Sequence, residues 1–409
     1  MGTGNHAVYS QPYCGQKLTL AYSLSGMKIL MISDVYFPRI NGVSTSIQTF
    51  KNEFQARGHQ VSLIVPAYVT DADCENDIMR IPSFRIPYDP EDRMMRFSEI
   101  VRLIPELARQ NYDIVHIHTP FIAHYAGIKI AKALKIPSVL TYHTLFEEYL
   151  YHYIPFLPKQ FLRFFARRFS SGQCNQVSGV IAPSSIIVSL LKDYGVKNNI
   201  TIIPTGIDAD KFAQAHPEQF RRKYNIPDNK KLLLNVSRVA FEKNMGLLLE
   251  LVQELKHSIP EIFLIIAGEG PAKKDYQQQV HKLGLDDNVS FVGYLDRNSE
   301  LIDCYHCADI FVFSSKTETQ GLVLLEAMAS GTPVVSVAAM GTVDILTDCE
   351  GALISSDQVS DFAQKVATLL QDPDQYANLS KAARIYAADW NSSNLAGRML
   401  LFYDQILNN

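Results

Sequence analysis

Short apolar segments alternate with helical stretches from Met27 almost to the end of the chain. The first series of such segments is MKILMIS (27–33), HQVSLIVPAY (59–68), DIVHIHTP (113–120), IPSVLTYH (136–143), GVIAPSS (179–185) and NITIIPTG (199–206). Continuous apolar strands separated by helices are typical of a parallel sheet covered on both faces. The first half of the chain is therefore predicted to be a doubly wound α/β domain.

A second series repeats this pattern in the other half. It consists of KLLLNVSRV (231–239), IFLIIAGEGP (262–271), VSFVGYL (289–295), DIFVFSS (309–315) and TPVVSVA (332–338). A chain of 409 residues is too long for one core. Two doubly wound domains of similar size are predicted, and the carboxyl ends of their strands should face a shared cleft, where ligands of such sheets bind.

The domain limits follow from where the two series begin and end. We predict an N-terminal domain at 27–206 and a C-terminal domain at 207–387, with a hinge around 204–212. The segment 388–409 has the pattern of one amphipathic helix without a strand partner, and we expect it to pack back across the first domain. Residues 1–26 are polar, rich in Gly and Ser, and lack a signal-peptide pattern, so they are predicted to be a disordered extension.

Composition excludes several classes of function. The chain is 47% hydrophobic and 20% charged, which is ordinary for a globular protein, and its net charge of -4 argues against nucleic acid as a general partner. No apolar run approaches the roughly 18 residues that cross a bilayer. Cys304 and Cys307 have no second pair or histidine cluster to complete a zinc site, which favours buried thiols in a reducing, cytoplasmic setting.

Two glutamates bracket a predicted strand-to-helix turn in the second domain. Glu318 and Glu326 lie in SKTETQGLVLLEAMASGTP (315–333), directly after the buried strand DIFVFSS. A helix that begins there presents unpaired backbone N–H groups to the cleft, and these groups suit a diphosphate. One carboxylate could then reach a sugar hydroxyl and the other a ribose. A surface acid and a helix salt bridge explain the spacing equally well.

Other loops on the same predicted edges carry candidate ligand groups. Arg238 and Lys243 follow the first strand of the second domain and could neutralise a diphosphate, although solvated surface charges are the alternative. Gly268, in the turn GEGP, gives backbone clearance near a nucleotide or forms a plain tight turn. In the first domain, the loop Asn41, Gly42 and Val43 either approaches a phosphate closely or only begins a helix.

Histidines and aromatic residues follow two strands of the first domain. His116 and His118 alternate along one strand, and we predict that His118, at the cleft end, contacts a sugar while the other histidine packs in the core. No further ligands are spaced for a metal. The segment TYHTLFEEYLYHY (141–153) could orient an acceptor hydroxyl through His143 or Glu147, with a helix carrying a hydrogen-bonded histidine as the alternative.

The segment IPFLPKQFLRFFARRFS (154–170) combines many aromatic residues with basic ones and contains no acid. On a helical wheel its apolar residues from Phe161 onward share one arc, Arg163 and Arg167 lie opposite, and Arg168 falls nearer the apolar side. Such a helix can lie in an anionic membrane interface. A core-packing helix whose arginines face water is the alternative.

Together, His118, the Arg238 and Lys243 pair, and Glu318 followed by GLVLLEAMASGTPVV resemble the retaining glycosyltransferases of family 4, which have the GT-B fold. The resemblance extends from Met27 to the C-terminus. Within the family, TYHTLFEEY, the TETQG loop and the Phe/Arg helix look like bacterial diacylglycerol glucosyltransferases. One departure is Asn41, where many relatives have a second glycine beside Gly42.

The resemblance implies a donor site, an acceptor site and a membrane site. The implied catalytic residues are His118, Glu318, Arg238 and Lys243. The implied donor-binding residues are Asn41, Gly42, Val43, Arg238, Lys243, Gly268, Tyr294, Glu318, Thr319, Gln320, Gly321, Leu322, Val323 and Glu326. The implied acceptor-binding residues are Tyr142, His143, Glu147 and Tyr149. The implied membrane-binding residues are Lys159, Phe161, Arg163, Phe164, Phe165, Arg167 and Arg168.

The expected reaction is transfer of glucose from UDP-glucose to diacylglycerol, by a peripheral protein on the inner face of the cell membrane. Cations and a helix N-terminus would stabilise the leaving diphosphate, so neither a metal nor another cofactor is expected. Transfer of another sugar, such as mannose from GDP-mannose, to another lipid or a soluble glycan remains open. So does a membrane protein that binds nucleotide sugars without catalysis.

Overall fold

The computed structural model describes residues 26–68, 76–86, 89–143 and 159–408. The strands of the first half are β1 (Lys28–Ile32), β2 (Gln60–Pro66), β3 (Ile78–Ile81), β4 (Ser83–Ile86), β5 (Asp89–Met95), β6 (Ile114–Ile117), β7 (Ser138–Thr141), β8 (Gly179–Ala182) and β9 (Ile200–Ile202). The helices are α1 (Gly42–Ala56), α2 (Phe97–Arg102), α3 (Ile104–Leu107), α4 (Ile122–Leu134), α5 (Lys159–Cys174) and α6 (Ser185–Asp193).

Seven of these strands form one parallel sheet in the order β3-β2-β1-β6-β7-β8-β9. The strand β1 lies in the middle and pairs on one side with β2, Lys28 opposite Gln60, and on the other with β6, Ile29 opposite Ile114. Apolar side chains cover both faces, since successive residues of β1 enter different core clusters. The order of the strands reverses between β1 and β6, which fixes the position of the ligand crevice.

The second half repeats this architecture. Its strands are β10 (Lys231–Val236), β11 (Ile262–Ala267), β12 (Val289–Gly293), β13 (Ile310–Phe313), β14 (Val334–Val337) and β15 (Ala352–Ser355). Its helices are α7 (Pro217–Lys223), α8 (Met245–Lys256), α9 (Lys273–Lys282), α10 (Glu300–Cys307), α11 (Leu322–Ala329), α12 (Thr342–Leu346), α13 (Val359–Gln371), α14 (Pro373–Asp389) and α15 (Ser392–Leu407). The parallel sheet has the order β12-β11-β10-β13-β14-β15, and the order reverses between β10 and β13.

The last helix, α15, returns to the first sheet, as the sequence predicts. Its side chains Leu395, Met399, Phe402 and Tyr403 are buried in the same core cluster as β1. The segment that leads into α15 runs beside the interdomain connection, where the Ile207 N–H donates to the Trp390 carbonyl at 2.8 Å. The chain therefore crosses between the two sheets twice at one place.

Four strands escaped the sequence prediction. The edge strands β3 and β15 and the antiparallel hairpin β4–β5 are short or polar, so they lack the apolar run that identified the central strands. The last helix also begins at Ser392 rather than near residue 388, because α14 continues to Asp389 and Asn391 caps the new helix. No helix in the described part of the chain is long and apolar enough to span a membrane.

Candidate functional site

A deep cleft lies between the carboxyl ends of the two sheets. It is bordered on one side by the loops after β1, β6 and β7, and on the other by the loops after β10, β11, β12 and β13. Both points where strand order reverses open into it. Parallel sheets of this topology bind their ligands at such points.

The loop from β13 to α11 carries Glu318 to the cleft. The helix begins after Gly321, whose φ of 99° lies in the left-handed region, and a Cβ there would come within 2.8 Å of the Thr342 methyl. Gly341 has no room for a side chain either, because its Cβ would lie 2.0 Å from the Thr319 carbonyl oxygen. Its N–H donates to the Glu318 carbonyl at 2.8 Å. Two glycines thus fix the backbone around Glu318.

Lys243 and Glu318 form an ion pair in the cleft, with Nζ and Oε1 2.6 Å apart and most of each side chain buried. Burial raises the pKa of Glu318. Attraction to the Lys243 ammonium and the hydrogen bond from it lower the pKa by more, so the pKa of Glu318 lies below its ordinary value. The carboxylate is therefore ionised at neutral pH. An incoming phosphate would compete with it for Lys243.

Arg238 lies on the same loop, and its guanidinium is 3.8 Å from Glu242. Both side chains border the cleft and are about three-quarters buried, with exposed fractions of 23% and 26%. One carboxylate oxygen of Glu242 is buried without a hydrogen-bond partner in the described structure. Glu242 has no signal of its own in the sequence, since an acid beside two cations resembles an ordinary surface pair.

Glu326 is 2% exposed and is the fifth of the eight residues of α11. One of its carboxylate oxygens pairs with the Arg297 guanidinium and the other accepts a hydrogen bond of 2.8 Å from the Tyr305 hydroxyl. Arg297 also borders the cleft. It was missed as a site residue because nothing in the sequence connects the loop after β12 with α11. The remaining lone pairs of Glu326 are available to ligand hydroxyls.

The glycine turn after β11 brings two loops close together at the cleft. Gly268 has a φ of 141°, and a Cβ there would lie 2.0 Å from the Ser237 carbonyl oxygen. The close approach that requires glycine is therefore between two protein loops at the cleft. Tyr294, in the next loop, borders the cleft and is 39% exposed. Leu322 and Val323, at the start of α11, also border the cleft and are more buried.

In the first domain, Asn41 is the N-cap of α1. Its side-chain oxygen accepts the Ser44 N–H at 2.9 Å, and it has extended backbone angles. Gly42 follows with nothing within 4 Å of a built Cβ. Asn41, in place of a second glycine, thus serves locally as a helix cap. The loop of Asn41, Gly42 and Val43 also borders the cleft.

His118 lies behind His143. Its side chain is 1% exposed, its Nδ1 is 3.1 Å from the His143 Nε2, and its Nε2 is buried without a partner in the described structure. His143 borders the cleft. Burial lowers the pKa of His143 to about 4 and that of His118 well below its usual value, so both rings are neutral at physiological pH.

Asp34 is a cleft residue that the sequence analysis did not single out. It follows β1, is 4% exposed, and accepts hydrogen bonds from the Thr119 hydroxyl at 2.8 Å and the Ala123 N–H at 3.1 Å. Burial raises the pKa of Asp34 to about 6, against the lowering effect of these hydrogen bonds. A signal was present, since SDVYFP places an acid directly after an apolar strand.

The TETQG loop also contacts the first domain. The Thr319 hydroxyl donates to the His143 carbonyl at 2.9 Å, and the Thr319 carbonyl accepts from Ser184 at 2.8 Å. The Gln320 amide exchanges two hydrogen bonds with the backbone of Thr205, of 2.7 and 2.8 Å. Both polar atoms of the Gln320 side chain are therefore engaged in the interdomain contact, although the residue also borders the cleft.

The predicted acceptor residues separate in the structure. Tyr142 is 8% exposed, packs in the core of the first domain, and its hydroxyl lies 3.1 Å from that of Ser170. It is therefore separated from its neighbour His143, which borders the cleft. Glu147 and Tyr149 lie outside the described residues.

The helix α5 exposes Phe161, Phe164 and Phe165, by 57%, 65% and 51%, whereas Leu162 and Ala166 are buried. The predicted apolar arc is thus divided between core and solvent. Arg168 is exposed four residues after Phe164, so it lies on the phenylalanine face. The helix begins at Lys159, whose side chain lies outside the description.

The remaining arginines of α5 differ in their surroundings. Arg167 donates to the Asp193 carbonyl at 3.0 Å and stacks over Tyr194, so it is attached to the first domain. Arg163 is exposed. One side of the helix therefore combines aromatic rings and positive charge at the surface of the first domain.

Two protein families match the chain. The model described as Glycosyltransferase Family 4 matches residues 40–211, and that described as Glycosyl transferases group 1 matches residues 217–386. The chain is 37% identical over 324 residues to an alpha-monoglucosyldiacylglycerol synthase of Streptococcus pneumoniae, covering 76% of this chain and 71% of the relative. It is 30% identical over 370 residues to the synthase of the same name from Acholeplasma laidlawii, covering 88% and 92%.

Solved structures show the same fold. Sucrose-phosphate synthase from Thermosynechococcus elongatus superposes with a TM-score of 0.76 at 20% identity, over 93% of this chain and 99% of that one. HepE of Anabaena, in complex with UDP-glucose, gives 0.76 at 17% identity, over 93% and 100%. With two parallel-sheet domains, a shared cleft and these relatives, the chain belongs to the family 4 glycosyltransferases and has the GT-B fold.

Proposed function

We propose that this protein transfers glucose from UDP-glucose to the free hydroxyl of diacylglycerol at a membrane surface, with retention of the anomeric configuration. The observation that carries the donor assignment is the arrangement of Arg238, Lys243, Glu318 and Glu326 around the start of α11. This is a set of cations and acids of the kind that a nucleotide diphosphate sugar requires. The names of the two synthases support glucose and diacylglycerol.

Each residue has a proposed role. Arg238 and Lys243 hold the diphosphate, with the guanidinium as a fork and the ammonium as a point charge. Glu326 accepts hydrogen bonds from the ribose, oriented by Arg297 and Tyr305. Glu318 binds sugar hydroxyls once phosphate has taken its place beside Lys243.

The chemistry then follows from the movement of charge. As the bond between the sugar and the diphosphate breaks, negative charge grows on the leaving phosphate, and preorganised cations with the N-terminus of α11 stabilise it. The acceptor hydroxyl attacks from the same face of the sugar and gives its proton to the leaving phosphate oxygen. This route produces retention without a covalent intermediate and without a metal.

The lipid acceptor is supported by α5. Its exposed phenylalanines can enter the interface of a membrane, and Arg168 among them can meet anionic headgroups. The protein would then be peripheral, on the inner face of the cell membrane, and would receive diacylglycerol from the lipid phase.

The test is a transfer assay with separate donor and acceptor arms. Labelled UDP-glucose, UDP-galactose and GDP-mannose are each offered with diacylglycerol in phosphatidylglycerol vesicles, or with soluble glycans and no vesicles. We expect label from UDP-glucose in the organic phase, only when diacylglycerol is present. Label on a soluble glycan, or transfer from GDP-mannose instead, would replace this proposal by the corresponding family 4 activity.

A further inference from the structure

A row of aromatic side chains links the last helix of the chain to the cleft. His116 and His118 leave β6 on the same side with ring centroids 3.9 Å apart, and the ring of His143 lies 5.4 Å beyond His118 in a stacked orientation. At the inner end, the ring of Tyr403 from α15 meets His116 edge-on at 5.7 Å. His143 is the member that borders the cleft.

Both nitrogens of His116 are engaged. The Tyr403 hydroxyl lies 2.6 Å from Nδ1, and the Thr141 hydroxyl lies 2.7 Å from Nε2. All three side chains are buried, with exposed fractions of 0% for His116 and Tyr403 and 4% for Thr141. Water is therefore excluded from these hydrogen bonds, and an unpaired donor here would be costly.

These bonds determine which nitrogen of His116 carries the hydrogen. Burial lowers the pKa of His116 well below its usual value and raises that of Tyr403 well above its own, so the ring and the phenol are both neutral. In the described structure, His116 Nδ1 is the acceptor within reach of the phenol hydrogen. This arrangement favours the tautomer of His116 that carries its hydrogen on Nε2 and donates it to Thr141.

The neighbouring pair is less constrained. His118 has one bond, to His143, while its Nε2 is buried and unsatisfied in the described part of the protein. A ring with one hydrogen bond can rotate or exchange tautomers unless packing prevents it. The ring that packs against it, at 3.9 Å, is His116, which is itself held at both nitrogens.

We propose that Tyr403 is a positioning residue: by fixing the orientation and tautomer of His116, it holds the His118–His143 pair in place at the cleft. The C-terminal helix thus contributes to the reaction without touching the substrate. Its contribution to catalysis rests on the proposed transferase function, whereas its contribution to histidine geometry does not.

The first experiment needs no substrate. In wild-type protein labelled with ¹⁵N-histidine, His116, assigned by comparison with the His116→Gln variant, should show hydrogen on Nε2 and an accepting Nδ1. In Tyr403→Phe this single-tautomer signature should be lost and the signals of His118 and His143 should shift. The opposite tautomer in the wild type, or unchanged signals in the variant, would overturn the proposal.

The second experiment measures transfer by Tyr403→Phe with whichever nucleotide sugar the wild type uses. We expect kcat to fall about tenfold while the donor KM stays within about twofold, as for the loss of one buried hydrogen bond that positions side chains at the cleft. Tyr112→Phe is the matched control. That tyrosine is buried in the same domain, hydrogen bonds to Ser62, and lies before β6 at the opposite end of the sheet.

The control should lose a similar amount of thermal stability and keep its kcat. An equal loss of kcat in Tyr112→Phe, or an unchanged kcat in Tyr403→Phe, would show that the phenol has only a structural role. Because the tautomer measurement is independent of turnover, a wrong donor or acceptor assignment would leave it valid.

Discussion

The ion pair of Lys243 and Glu318 is the feature on which the donor site depends. In the absence of ligand each side chain neutralises the other in a mostly buried position. Such a pair is kept together by the cost of leaving one charge alone, and it opens when a stronger anion arrives. The diphosphate of a nucleotide sugar is that anion in our proposal.

Replacing Lys243 by Met should lower kcat about 100- to 1000-fold, since one preorganised charge at the leaving group is lost. Initial rates at saturating UDP-glucose measure this. Lys316→Met is the control, because Lys316 also pairs with an acid, Asp357, at 2.6 Å, but both side chains are about half exposed and lie outside the cleft lining. Equal effects of the two changes would rule out a specific role for Lys243.

Asp34 gives a prediction for stability against pH. Its raised pKa means that the folded state binds the proton more tightly than the unfolded chain, so the stability present at low pH is lost as pH rises from about 4 to about 6. Asp34→Asn keeps an acceptor for Ala123 and does not ionise. The unfolding free energy of the variant minus that of the wild type should therefore increase between about pH 4 and pH 7, by at most about 3 kcal/mol.

Urea titrations at both pH values measure that difference. Asp348→Asn, at an exposed position on the second domain, is the control for the substitution itself. A difference for Asp34→Asn that is constant with pH would mean that Asp34 ionises normally in the folded protein.

Sequence reasoning found site residues where a polar side chain follows an apolar strand, which is how Lys243, Glu318 and His143 were identified. It could not find Arg297 or Glu242, because their importance comes from partners on other loops. It also grouped Tyr142 with His143, whereas Tyr142 packs in the core of the first domain and His143 borders the cleft. Their detailed roles in catalysis stay predictions.

Among the helices and strands, α5 is distinguished by its exposed aromatic side chains. Phe161, Phe164 and Phe165 place three aromatic rings on the surface of a helix whose buried side is formed by small or aliphatic residues. Periodicity alone placed Leu162 on the same arc as these rings, whereas packing against the first domain selects it for the core. The edge strands and the β4–β5 hairpin were missed because they are short or rich in polar residues and so contain no long apolar run.

Changing Phe164 to Ser and Arg168 to Glu should weaken binding to phosphatidylglycerol vesicles strongly. Reversing one charge alone changes the attraction by about 2 kcal/mol, or roughly 30-fold in affinity. Vesicle sedimentation measures the bound fraction. The matched control combines Ile385→Ser and Lys381→Glu on α14, which is also an exposed apolar and basic pair. If both double variants bind like the wild type, α5 is not the membrane contact.

The two domains are joined by more than the chain crossings. Asp344 on α12 accepts hydrogen bonds from the Ser185 N–H at 2.6 Å and its hydroxyl at 2.7 Å, so an acid of one domain caps the first turn of α6 in the other. With the contacts of Thr319 and Gln320, this holds the TETQG loop against the first sheet.

Asp344→Ala should open the cleft of the ligand-free protein and raise the donor KM about threefold to tenfold, because closure must then be driven by the ligand. Small-angle X-ray scattering should show a larger radius of gyration that returns to the wild-type value with donor bound. Asp348→Ala, one turn later on the same surface, should leave both quantities unchanged. Identical scattering for wild type and Asp344→Ala would show that the cap does not control closure.

The repeated strand-and-helix pattern was sufficient to predict both parallel sheets, and the structure confirms the expectation that the last helix packs on the first domain. The contacts that join the domains were not predictable, since Ser185 and Asp344 are 159 residues apart and neither belongs to a recognisable pattern. In our proposal the product of the reaction is a glucosyl lipid. Its anomeric proton, in the lipid formed from UDP-glucose and diacylglycerol vesicles, should show the small NMR coupling of an α-glucoside. A β-glucoside would contradict retention, and the absence of any glucosyl lipid would contradict the proposed reaction itself.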